Sequence, residues 1–177
     1  MRKLTNDELN RKSIEEFKSS GKSPFLIVLD NVRSLNNIGS IFRSADAFLV
    51  EAVWLCGITA TPPHREIHKS ALGATESVDW KYYDSAASAA TELKDRGYVL
   101  VAVEQTDGSV PLDRFIPEEG KKYALVFGHE IRGVSEEVVS LSDVCVEIPQ
   151  YGTKHSFNVA VSAGIVLWEL AGRSRDK

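Results

Sequence analysis

The sequence predicts an α/β domain, a mostly parallel sheet with helices on both faces. Apolar runs such as FLIVLD at 25–30, YVLVAVE at 98–104 and YALVFG at 123–128 lack polar/apolar alternation, which marks strands buried on both faces. Segments of helical periodicity separate them, and strands alternating with helices argue for a parallel sheet. The 177 residues, 43% hydrophobic and 26% charged, match one soluble globular domain. A chain of this length buries about 70% of the surface its unfolded form exposes, so its core needs no covalent staples.

Thr5 and Glu8 have the spacing of a capping box, which predicts a helix over 5–20 that Gly21 stops. Only Leu9, Ile14 and Phe17 are apolar inside it, so residues 1–22 read as a helical arm appended to a domain over 23–177. From Pro24 the texture changes. The strand at 25–30 leads to a helix over 37–50, a second strand at 52–57, and a loop marked by Pro62 and Pro63. A short helix at 67–72 precedes a weaker strand at 78–83. The alanine-rich stretch 85–96 is helical and ends at Gly97. The strands at 98–104 and 123–128 flank a linker with Gly108, Pro111 and Pro117. A short helix at 134–141 comes before the last strand, 144–149. The last helix, 156–173, carries Val159, Ala163, Val166, Leu167 and Leu170 on one stripe. Ligands on such sheets bind beyond the carboxyl ends of the strands, so chemistry is expected in the loops after Asp30, Glu104, Phe127 and Ile148.

Several function classes are disfavoured at this level. No apolar run approaches the ~20 residues that cross a bilayer, so no membrane partner is expected. No apolar core follows the basic N-terminus, so there is no secretory signal and the cytoplasm is the expected compartment. Cys56 and Cys145 are too few for a disulfide framework and read as small buried hydrophobes. The formal net charge of -4 speaks mildly against a nucleic-acid partner. His64 and His68 share a helix face, but HREIH lacks a glutamate directly after its first histidine and no third ligand is evident, so no metal is expected. Arg65, His68 and Lys69 read instead as a solvated face or a nucleic-acid contact.

Three loops carry polar residues that turns alone do not explain. The loop GHEIRGVS places Gly128 and Gly133 at P-loop spacing, but Val134 stands where the phosphate-gripping lysine belongs, which argues against nucleotide hydrolysis. The glycines still let a ligand approach the main chain closely. Glu130 suits a ligand bearing hydroxyls, amines or positive charge; its bland alternative is a partner for a helix N-terminus. In PQYGTKHSFNVAVSAG, Ser156 or Asn158 alone reads as a helix cap. A helix needs one cap, yet Lys154, His155, Ser156 and Asn158 cluster here. In NVRSLNNIGSIFRSADAF, Asn36 and Asn37 are turn or cap residues, and Arg43 interrupts an apolar helix face, either snorkelling to solvent or serving a site.

Taken together the loops resemble the SpoU (TrmH-like) family of RNA ribose 2′-O-methyltransferases, within the SPOUT class. The family pattern N-x-[GS]-x-[IL]-x-R matches Asn37, Gly39, Ile41 and Arg43. The pattern G-x-E-x-x-G-[VIL] matches Gly128, Glu130, Gly133 and Val134. The pattern I-P-x-x-G-x-x-x-S-[LF]-N-V matches Ile148, Pro149, Gly152, Ser156, Phe157, Asn158 and Val159, with Phe157 where leucine is commoner. All three occur in family order, and the resemblance covers about 24–173.

The resemblance implies a C-terminal trefoil knot, which general topology rules would have excluded. It also implies a homodimer with the active site near the subunit interface, S-adenosyl-L-methionine as cofactor, and tRNA or rRNA as substrate. Gly128, Ile148 and Phe157, with Glu104, Pro149 and Gly133, would hold the cofactor. Arg43 would be the catalytic group, oriented with the ribose by Asn37, Glu130, Ser156 and Asn158. Arginine is a poor general base at its ordinary pKa, so it is either perturbed or acts through its charge. The alternative is a non-catalytic RNA-binding module that keeps the knotted fold. With no evident second domain, RNA selection falls to the domain surface, the arm or a partner. Arg2, Lys3, Arg11, Lys12, Arg33, Arg43, Arg65, Lys69, Lys154 and His155 are the candidates for a basic patch.

Overall fold

The computed structural model describes residues 1–5 and 7–175; Asn6, assigned above to the arm, and positions 176–177, assigned to the domain, lie outside the described residues. The strands are β1 (Phe25–Asp30), β2 (Ala52–Cys56), β3 (Asp79–Tyr83), β4 (Tyr98–Val103), β5 (Val110–Pro111), β6 (Lys122–Phe127) and β7 (Val144–Glu147). They form one sheet in the order β3-β2-β1-β6-β4-β7-β5, and every neighbouring pair is parallel. The helices are α1 (Ile14–Ser19), α2 (Leu35–Ala47), α3 (Arg65–Ala71), α4 (Ala74–Ser77), α5 (Ala86–Asp95), α6 (Glu136–Leu141) and α7 (Val159–Arg175).

The continuous apolar runs follow from helices on both faces. Along β1, Phe25, Ile27 and Leu29 pack with Ile38, Ile41 and Phe42 of α2 and with Ala163, Val166, Leu167 and Leu170 of α7. Leu26 and Val28 point the other way, onto Ala86, Ala89 and Leu93 of α5 and Val138 of α6. Each such side chain, fully buried, contributes about 1.5–3 kcal/mol relative to exposure. Gly39 lets α2 close on α3: a Cβ there would lie 2.1 Å from Ser70 Oγ and 2.3 Å from the Ile67 carbonyl oxygen. Among the described residues no helix is long and apolar enough to cross a membrane.

Several element boundaries depart from the sequence expectation, α2 and α3 each starting two residues early among them; three departures have a clear local reason. The helix expected over 5–20 is broken. Thr5 N–H does donate to Glu8 Oε2 at 2.7 Å, but only a single 3-10 turn, Asp7–Leu9, forms before Asn10 enters the left-handed region at φ 46. The helix restarts at a second capping box, in which Ser13 N–H donates to Glu16 Oε2 at 2.7 Å and Glu16 N–H to Ser13 Oγ at 3.1 Å. That box wins because its helix drops Phe17, 4% exposed, into the core. The α6 helix starts at Glu136 because Val134 and Ser135 give their N–H groups to Glu104 and Asp30. The α7 helix starts at Val159 because Asn158 Oδ1 caps it, accepting from Ala160 N at 2.9 Å and Val161 N at 3.3 Å. The short α4 and β5 were not expected; four and two residues are too few for a readable period.

Candidate active site

The loop after β6 is a tight hairpin. His129 N–H donates to the Gly133 carbonyl at 3.0 Å, and Gly133 N–H returns to His129 at 2.8 Å. Gly133 sits at φ 69, and a Cβ on Gly128 would lie 2.0 Å from the Gly133 carbonyl carbon, so both positions require glycine. Ile131 N–H donates to His129 Nδ1 at 3.0 Å, which leaves residues 130–132 at the tip.

From that tip Glu130 reaches back to the start of α2. Its carboxylate accepts from Arg33 N at 3.1 Å, Ser34 N at 2.8 Å and Asn37 Nδ2 at 3.1 Å. Burial pushes its pKa up, but the main-chain donors of Ser34, Arg33 and Glu130 itself, with the Asn37 amide, outweigh burial and hold the carboxyl below its ordinary value. Asn37 Oδ1 in turn accepts from Asn158 Nδ2 at 3.1 Å. A single polar chain, Glu130–Asn37–Asn158, therefore joins the loops after β6, β1 and β7.

Two further carboxylates fix the frame. Glu104, at the end of β4, accepts from Gln105 N and Val134 N, both at 2.9 Å, and a Cβ on Gly133 would lie 2.1 Å from its Oε2. Asp30, 2% exposed, accepts from Ser135 N at 2.8 Å and Asn31 Nδ2 at 2.7 Å. Gln105 Nε2 donates to the His155 carbonyl at 2.9 Å and so ties down the loop before α7.

These loops wall a cleft of about 500 Å³ beyond the carboxyl ends of β4, β6 and β7. Glu104, Gly128, Glu130, Gly133, Ile148, Ser156, Phe157 and Asn158 line it, as do Val103, Phe127 and Val146 from the strand ends. Asn37 stands behind the lining, bonded to Glu130 and Asn158. Pro149 lies between two lining residues, Ile148 and Gln150, without lining the cleft itself. Gln105 and Asp30 were not singled out by sequence; their only signal is a position at the carboxyl end of a strand.

A family model described as the SpoU rRNA Methylase family matches residues 24–168. This chain belongs to the SpoU family. Among its relatives is the tRNA (guanosine(18)-2′-O)-methyltransferase of Aquifex aeolicus, 30% identical over 171 residues, covering 96% of this SpoU chain and 79% of that protein. The 23S rRNA (guanosine-2′-O-)-methyltransferase RlmB of Neisseria meningitidis serogroup B is 32% identical over 146 residues, 82% of this chain and 57% of the relative. The solved A. aeolicus TrmH/SpoU tRNA modifying enzyme superposes with a TM-score of 0.81 at 27% identity, over 92% of this chain and 81% of its own. AviRb of Streptomyces viridochromogenes, solved in complex with AdoMet, gives 0.80 at 25% identity, over 90% and 64%. The SpoU chain thus spans less than two thirds of several relatives' length.

Arg43 lies apart from the cleft of its own chain. It is about 9 Å further along α2 than Asn37, on an outward stripe with Asn36 and Ala47. It is exposed, does not line the cleft, and makes no ion pair among the described residues.

Proposed function

We propose that this SpoU-family protein transfers a methyl group from S-adenosylmethionine to a ribose 2′-hydroxyl of tRNA or rRNA. The observation that carries the proposal is the Glu130–Asn37–Asn158 chain, which sets three motif loops around one cleft of ligand size. The lining suits the cofactor. Ile148, Phe157 and Val103 offer apolar walls for an adenine, Gly128 and Gly133 allow close main-chain approach, and the basic side chains of the lining, His129 and Arg132, belong to the loop after β6 rather than to the strand ends. Gly128, Ile148, Phe157 and Glu104 would hold it, with Pro149 shaping the turn beside Ile148 and Glu104 and Gly133 setting the loop. When bound, the cofactor supplies an electrophilic methyl group; the protein must position the 2′-hydroxyl and stabilise the charge that grows on it as its proton leaves. Ser156 offers a hydroxyl to the ribose. Arg43 offers a permanently charged guanidinium.

From α2's outward stripe, we propose, Arg43 serves the cleft of a second copy. The exposed faces of α2 and α7 are continuous, since Phe48 and Trp168 meet edge to face at 6.4 Å. Trp168 is 72% exposed and Val161 49%. We read this apolar surface as an association site. A homodimer through it would cover both residues and carry Arg43 of one copy toward the cleft of the other. We place this reaction on RNA in the cytoplasm.

The test is transfer of labelled methyl groups from the cofactor to unmodified tRNA or rRNA, followed by digestion and mass spectrometry of the nucleosides. A 2′-O-methylated nucleoside is expected. Methylation of a base would refute the reaction, and RNA binding without any transfer would favour a non-catalytic binding module.

A further inference from the structure

The charges around the cleft are segregated in a way that composition conceals. Each carboxylate that closes the loops is satisfied by main-chain or amide donors: Asp30 by Ser135 N and Asn31 Nδ2, Glu104 by Gln105 N and Val134 N, Glu130 by Arg33 N, Ser34 N and Asn37 Nδ2. Of the acidic residues lining the cleft, Glu147 alone is outside this set. Elsewhere on the surface seven Lys and Arg side chains are spent on carboxylates. Ion pairs join Arg2 to Glu8, Lys69 to Glu66, Lys81 and Arg96 to Glu92, Lys94 to Asp143, Lys121 to Glu118 and Lys122 to Glu51, and none of these residues lines the cleft.

At the mouth the pattern reverses. Arg33 and Arg132 are exposed, and neither forms an ion pair among the described residues. They belong to loops far apart in sequence, yet Glu130 fastens the two loops together. Its carboxylate holds the main chain of Arg33 at 3.1 Å, and Arg132 follows two residues later on the same hairpin tip. Because Glu130 spends its charge on main-chain N–H groups, it leaves both guanidinium groups free to meet an external anion. Guanidinium groups match phosphate oxygens through paired hydrogen bonds.

We propose that Arg33 and Arg132 form a two-pronged grip on the RNA backbone, holding phosphates that flank the nucleotide whose ribose enters the cleft. The ligand's identity as RNA rests on the methyl-transfer proposal above; the grip itself rests on the loop geometry and the charge segregation. The net charge of -4 then weighs less, because two of the three carboxylates lining the cleft, Glu104 and Glu130, are already hydrogen-bonded to the fold, Glu147 being the exception.

The experiment measures binding of unfractionated tRNA to the full chain by fluorescence anisotropy across a salt series. Each lost phosphate contact lowers the slope of log affinity against log salt by about 0.7–0.9. The double variant Arg33→Ala/Arg132→Ala is expected to lose about 1.4–1.8 from that slope and at least tenfold in affinity at 0.1 M salt. The Arg33→Lys/Arg132→Lys pair should keep the slope, since it keeps the charges. Arg96→Ala/Lys121→Ala makes the same change in net charge away from the cleft and should leave the slope near wild type. Substituting the Arg33 side chain leaves its N–H on Glu130, and an unchanged melting temperature checks the fold. An unchanged slope, or an equal fall in the Arg96/Lys121 control, would overturn the grip whatever the methylation assay shows. So would a loss of S-adenosylmethionine affinity by calorimetry with tRNA binding intact, which would assign the arginines to the cofactor. A slope that shifts as expected in a protein that methylates no RNA would refute the reaction and leave the grip standing.

Discussion

Replacing Glu130 with glutamine tests the polar chain on which the site is built. The carboxylate accepts from Ser34 N and Asn37 Nδ2 on Oε1 and from Arg33 N on Oε2. A glutamine can keep the first pair on its carbonyl oxygen, but its NH2 then faces the Arg33 N–H, donor against donor. One hydrogen bond to a charged group is lost, worth about 1.5–3 kcal/mol. A favourable carboxylate at the N-terminus of α2 is lost with it. For a chain of this size about 2 kcal/mol corresponds to a fall in melting temperature of roughly 4–8 °C. The effect has a pH signature. Glu130 titrates below its ordinary value of 4.5 in the folded chain, so its stabilisation is fully present above that value and is lost as pH falls through the lower, folded pKa. Thermal melts followed by circular dichroism should therefore show wild type above Glu130→Gln at pH 7, with the gap closing below the usual carboxylate range. Equal melting temperatures at pH 7, or a gap that persists undiminished at about pH 3, would refute the assignment of the carboxylate to these donors.

Three other variants separate the parts of the site. Arg43→Ala should cut methyl transfer by at least about 100-fold while calorimetry finds cofactor affinity unchanged; near-normal turnover would remove Arg43 from the reaction. Phe157→Asp places a charge on an apolar wall of the cleft and should weaken S-adenosylmethionine binding by tenfold or more, so an unchanged dissociation constant would count against the pocket. Trp168→Glu combined with Val161→Glu should convert a dimer to a monomer in light scattering and lower transfer in parallel; a dimer that survives both charges would move the interface elsewhere.

What sequence could and could not show divides along physical lines. The run FLIVLD predicts a strand buried on both faces, and Leu26 and Ile27 do meet opposite helix layers. The stripe from Val159 to Leu170 predicts the inner face of α7, and all five of its residues are buried. The arm holds two S/T-x-x-E boxes, and local spacing does not tell which helix will find a core contact for Phe17. The loops were legible as places but not as a constellation. Glu130 meets Ser34 from 96 positions away and Asn158 meets Asn37 from 121, separations at which periodicity and spacing carry no information. Arg43 stood out as a charge on an apolar helix, but which way that charge faced depended on how α7 packs beside α2.

Capping and chemistry are not alternatives in these loops. Asn158 caps α7 through its Oδ1 and bonds Asn37 through its Nδ2, while Glu130 meets the N–H groups that precede α2 and bonds the same Asn37. The cap and the site are one set of atoms. A helix N-terminus offers fixed donors at a fixed place, so side chains that satisfy it are held in one rotamer without further support. That economy orients polar groups at the mouth of the cleft before any ligand arrives, which is what a transfer reaction needs from residues that do not themselves react. It also means that loss of activity in an Asn158 variant mixes a lost cap with a lost contact, and in a Glu130 variant a loosened entry to α2 with a lost contact. Asn37 is the cleaner probe, because its side chain bridges the other two and caps nothing itself.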